Sequence, residues 1–75
     1  MEPDYLVRIS DGLRAVRIEM LRNAPTRGRV PNREVLRFAE FPARNPRERI
    51  KARSRAGVMA AQWVATAPGS AEIEI

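Results

Sequence analysis

Tyr5, Val7 and Ile9 alternate with Leu6, Arg8 and Ser10, and the run ends at Asp11-Gly12. Period-two alternation puts the two sets on opposite faces of a strand. An Asp-Gly pair after such a run is a strong hairpin signal, because a type I′ turn needs positive φ at both central residues. A two-residue loop at Asp11-Gly12 sets Val7 opposite Val16 and Tyr5 opposite Ile18, so one face is apolar. The other face then carries Leu6, Arg8, Ala15, Arg17 and Glu19. The competing reading is a helix over residues 13–23, where Leu13, Val16, Met20 and Leu21 also fit helical spacing. Arg17 interrupts that stripe, whereas pairing and patterning agree on the hairpin.

Residues 24–32 hold two prolines and a glycine and read as a loop. From Glu34 to Phe41 the pattern predicts a third strand, with Leu36 and Phe38 on one face and Val35, Arg37, Ala39 and Phe41 on the other. A short helix capped by Asn32 is the alternative, and Phe41-Pro42 ends either element. Asn45 is a good N-cap, Pro46 suits the first helical position, and Glu48 follows at the third, close to a capping box. The helix should run from Pro46 to Thr66 and stop before Pro68-Gly69. Ala56, Met59, Ala60, Trp63, Val64 and Ala67 mark its apolar face. Gly57, Ala60 and Ala61 are small enough to let it sit close against a sheet. Ala71-Glu72-Ile73-Glu74-Ile75 alternates strictly and reads as a short strand with glutamates on an exposed side.

The predicted fold is α+β in the order β-β-β-α-β, a small, mainly antiparallel sheet with one long helix packed on one face. Seventy-five residues make a single domain, residues 1–75, with a thin core. Apolar residues form 44% of the chain, enough for a globular fold and against disorder. Self-association into a homodimer is one route by which so small a chain gains buried area. No run approaches the ~20 apolar residues of a membrane span. The acidic start Met1-Glu2-Pro3-Asp4 is unlike a signal peptide, so a cytoplasmic location is expected.

The chain has neither cysteine nor histidine. That removes thiolate and imidazole metal ligands, the usual catalytic triads and the common acid–base group. No glycine-rich phosphate loop exists, since Arg27-Gly28-Arg29 is too short to be one. No metal, cofactor or catalytic residue is expected, and the chain reads as a binding protein rather than an enzyme. One enzyme class passes this screen: small basic toxins that cleave ribosome-bound messenger RNA using arginine, lysine, tyrosine and glutamate. The chain lacks the helical N-terminal half expected of them.

Charge then locates the function. Eleven of the fourteen basic residues fall between positions 22 and 55 against three glutamates, a local balance of +8 within a total of +5. Six of them, Arg44, Arg47, Arg49, Lys51, Arg53 and Arg55, occupy twelve residues around the start of the long helix, where backbone N–H groups already favour an anion. Arg47, Lys51 and Arg55 recur at i, i+4 and i+8, so one helical stripe is continuously basic. Arg27, Arg29 and Arg33 could extend it. Such a surface suits a nucleic-acid phosphate backbone, and the competing readings are a solvated face and a GC-rich genome. Trp63 belongs to the core, which leaves few rings for base stacking and favours backbone-directed contact. Phe41 is the aromatic expected to be exposed.

In size, in its strand-rich first half and in its late Ala-rich helix from Ala56 to Trp63, the chain resembles the small phage-encoded anti-CRISPR proteins. The likeness lies in layout and in no single motif. It implies a non-enzymatic inhibitor in the host cytoplasm that docks on a nucleic-acid-handling complex and blocks it. Many of that group are acidic DNA mimics. With its +8 central segment, this chain would instead meet an acidic protein face or nucleic acid itself.

Overall fold

A computed structural model describes residues 2–24 and 32–75. Its elements are β1 (Tyr5–Asp11), β2 (Ala15–Ala24), β3 (Asn32–Pro42), α1 (Pro46–Thr66) and β4 (Ala71–Glu74). They form one four-stranded sheet in the order β3-β2-β1-β4. The first three strands are antiparallel to their neighbours and β4 runs parallel to β1. The α+β order read from the pattern is the order found. Residues 15–24 are strand rather than helix.

The hairpin forms in a different register from the expected one. Val7 stands opposite Met20 and Tyr5 opposite Arg22, and Asp11 remains in β1 opposite Val16. The backbone N–H of Gly12 donates to Ala15 O at 2.8 Å, so the chain reverses at Leu13-Arg14. Gly12 does not take the left-handed φ that a type I′ turn needs. Its use is space, because a Cβ there would sit 2.9 Å from Ala15 O. Contacts from outside the hairpin hold this turn: Ala43 N–H donates to Arg14 O at 2.8 Å, and Arg49 donates to Leu13 O at 3.0 Å. The register moved by four residues, an even number, so every side chain kept its face. Val7, Val16 and Ile18 are all fully buried.

Between β2 and β3 the register slips once. Met20 faces Arg37 and Leu21 faces Val35, which leaves Leu36 as an extra residue in β3. A bulge of this kind interrupts the alternation. Val35 therefore lies on the same side as Phe38, away from the helix, and not with Arg37 as the uninterrupted pattern predicted.

The helix begins as its sequence dictates. The Asn45 side chain accepts from Glu48 N–H at 2.9 Å, and Pro46 needs no donor at the first position. Glu48 closes the cap one residue early: its carboxylate accepts from the backbone N–H of Arg44 at 3.1 Å, not from that of Asn45. Ala52, Ala56, Ala60 and Trp63 face the sheet. Val7, Ile18 and Met20 pack with Ala60 and Trp63, and Val16 packs with Ala43, Ala52 and Ala56. Ile9 and Phe41 touch both groups. Three alanines one turn apart bring the helix close. Of the small residues expected there, only Ala60 is; Gly57 and Ala61 are exposed on the far side.

At the other end, Asp4 and Ser70 tie β4 to β1. Asp4 N–H donates to Ser70 Oγ at 2.9 Å, Ser70 N–H donates to Asp4 Oδ2 at 3.3 Å, and Tyr5 N–H donates to Ser70 O at 3.0 Å. A Cβ at Gly69 would meet Asp4 Oδ2 at 2.6 Å, so a larger residue there would have to displace the Asp4 carboxylate that bonds Ser70. Among the described residues, no helix is long and apolar enough to cross a membrane.

Candidate anion-binding face

β3 leads through the three residues Ala43, Arg44 and Asn45 into α1, so the basic cluster is mounted where strand and helix meet. The buried line Ala52-Ala56-Ala60 divides the cluster in two. Arg49 and Arg53 reach Asp11 on the hairpin side, and Lys51 and Arg55 line the β3 side, with Arg47 one turn before Lys51.

The hairpin side is committed to structure. Arg49 Nη1 donates to Asp11 Oδ1 at 3.0 Å, and its Nη2 donates to Leu13 O and to Ala43 O at 3.1 Å in the second case. Arg53 donates through Nε to Asp11 Oδ1 at 3.3 Å and also pairs with Asp11 through Nη2. The hydrogen bond from Arg53, with further help from Arg49, holds the Asp11 carboxyl below the usual carboxylate range, against a smaller opposing effect of desolvation. Arg44 is similarly engaged: its Nε donates to Glu48 Oε1 at 3.1 Å. That hydrogen bond lowers the Glu48 carboxyl and raises the Arg44 guanidinium.

The β3 side is different. Arg47, Lys51 and Arg55 are exposed and have no ion-pair partner among the described residues, where the other ion pairs are Arg8–Glu74, Arg17–Glu19, Arg17–Glu40 and Arg22–Glu34. At 1.5 Å rise per residue they stand about 6 Å apart along the helix, in a row about 12 Å long. Of the six clustered cations, then, three hold the fold and three face solvent in one stripe.

Arg33 does not join them. It lies at the start of β3 opposite Asn23, nine residues and about 30 Å of strand from Pro42. Arg27 and Arg29 lie outside the described residues. No group of three or more His, Cys, Asp or Glu that could hold a metal ion occurs among the described residues.

Two side chains that sequence reasoning did not place bear on this face. Phe41 was expected to be exposed but is half-buried, under the helix edge and against both core groups. Phe38 is the exposed ring instead, on the opposite side of the sheet, with the Arg17 guanidinium 4.2 Å from its centre. Val58 continues the stripe one turn beyond Arg55 and is 60% exposed. Its i+3 spacing from Arg55 was the available signal. The chain matches no protein-family model, no curated protein and no solved structure.

Proposed function

We propose that this protein binds nucleic acid through its phosphate backbone, using Arg47, Lys51 and Arg55 as the contact stripe. The observation that carries this reading is the division of the basic cluster. Arginines retained only for folding would be satisfied by carboxylates, as Arg49 and Arg53 are by Asp11. Three exposed like charges within three helical turns repel one another, and Arg47, in the first turn, also opposes the helix dipole. A polyanion relieves both costs and releases its own counterions on binding. Arg49 and Arg53 are left out of the contact set because both are already tied to Asp11.

The test is fluorescence anisotropy of a labelled oligonucleotide across a salt series. Affinity should fall steeply with salt, with a slope near −0.7 per single-strand phosphate neutralised, or about −2 for three contacts. An affinity independent of salt, or binding that survives reversal of all three side chains to glutamate, removes the reading. Capture from a lysate that persists after nuclease treatment, with no oligonucleotide binding, would point to an acidic protein face instead.

A further inference from the structure

A groove runs between α1 and the edge strand β3, directly beside the basic stripe. It consists of two adjoining hollows of about 300 and 230 Å³ that share Phe41 and Arg55. Phe41, Met59 and Val58 line the larger with Ser54 and Gln62, and Arg44, Glu48, Lys51 and Ala52 contribute to the smaller. The groove therefore has a largely apolar wall with a half-buried aromatic ring, and along its lip Lys51 and Arg55 stand beside the Arg44–Glu48 pair.

We infer that this groove seats an unstacked base of a single-stranded nucleic acid while the phosphates on either side rest on Lys51 and Arg55. The inference rests on the proposed phosphate-binding role of the stripe and adds the form of the substrate. A purely electrostatic face has no use for an apolar slot next to its cations. A duplex would leave the slot empty, because its bases are paired and stacked, whereas a single strand can turn a base outward against an aromatic or apolar wall. Charge complementarity selects the same occupant: an uncharged greasy ligand would ignore the lip, and a small anion would ignore the wall. The larger hollow lies at the small end of ligand-pocket volumes and suits one flat heterocycle. Ser54 and Gln62 are the uncharged polar side chains beside the apolar wall, so binding should be strand-selective, with any base preference set by those two groups.

The experiment compares three probes on the intact protein: a short oligothymidylate, an abasic strand with the same number of phosphates, and a duplex of equal length. The oligothymidylate should bind about tenfold tighter than the abasic strand, the scale expected for one base against an aromatic wall. Val58→Lys alters an exposed helix position that the core does not use. It should erase the preference while leaving abasic-strand affinity equal to or above wild type, since it adds a cation. Equal wild-type affinity for the first two probes, tighter binding of the duplex, or a preference that survives Val58→Lys overturns the groove assignment and leaves the phosphate stripe standing. If none of the three probes binds, both readings fail together.

Discussion

Arg49 Nη1 lies 3.0 Å from Asp11 Oδ1, joining the first turn of α1 to the last residue of β1. Arg53 grips the same carboxylate from one turn further on. Neither residue of the expected Asp-Gly turn sits at the reversal: Gly12 pairs with Ala15, and Asp11 stays in the strand, bound by two cations from a helix about forty residues away. Local turn preference would place the reversal at Asp11-Gly12; it lies at Leu13-Arg14, a register in which Asp11 meets Arg49 and Arg53.

That ion pair gives the protein an acid-sensitive joint. Asp11 and Glu48 both titrate below their ordinary values in the folded state. A depressed carboxylate contributes stability that is fully present above its unfolded pKa, about 4, and is lost as pH falls through the lower folded value. The melting temperature should therefore be flat with respect to these groups at neutral pH and fall only below about pH 4. Asp11→Asn should lower it at pH 7 and flatten the acid limb. Circular-dichroism melts from pH 7 to pH 2 will read both effects, and an Asn variant with the wild-type acid limb would show that Asp11 does not carry it.

Gly57 offers a test of how the helix sits. Its small size suggested close packing, yet it faces solvent, and an added Cβ would meet nothing within 4 Å. A glycine within a helix costs about 0.5–1 kcal/mol relative to alanine. Gly57→Ala should therefore raise stability by about that amount in a urea titration. A loss of stability would mean that another surface covers this position in solution.

Trp63 is buried to 9% exposure over Val7, Ile18 and Met20, and the Arg37 guanidinium lies 4.2 Å from its ring centre. Truncation to alanine should cost about 3–5 kcal/mol, enough to unfold so small a domain. Native fluorescence should be blue-shifted and weakly quenched by iodide. Arg37→Ala uncovers the ring without emptying the core, so quenching should rise while the protein stays folded. Unchanged quenching in that variant would place the cation elsewhere.

The parts of the structure that were legible in the sequence are those set by local chemistry. Asn45, Pro46 and Pro68-Gly69 bracket the helix because capping and ring closure act within a few residues. Period-two alternation assigned Val7, Val16 and Ile18 to the buried face, and a four-residue slip could not undo that. The register itself was not legible, because the contacts that go with it, Asp11 with Arg49 and Arg53, join distant parts of the chain. Nor was the bulge at Leu36, which no Gly or Pro marks. The candidate site divides in the same way. The i, i+4, i+8 spacing revealed the stripe of Arg47, Lys51 and Arg55. Which arginines are already engaged, and that Phe41 floors a groove beside them, follow only from where the helix lies across β3.

This division of the basic cluster makes the sharpest prediction. Reversing Arg47, Lys51 and Arg55 to glutamate exchanges three like charges for three others, so repulsion within the stripe is unchanged. An acidic residue at position 47 should also favour the helix slightly, lying in its first turn. None of the three touches the buried line Ala52-Ala56-Ala60. The triple variant should therefore melt within a few degrees of wild type and fail to bind oligonucleotide at any salt. Replacing Arg49 and Arg53 by alanine removes the same kind of side chain from the same helix but breaks the clamp on Asp11. That variant should melt lower and, at a temperature where it is folded, bind with wild-type affinity and salt slope. Melting curves and anisotropy titrations on the two variants together decide the matter. If both lose binding equally, charge on the helix acts as an undifferentiated cloud. If neither loses it, the arginine face has no part in recognition.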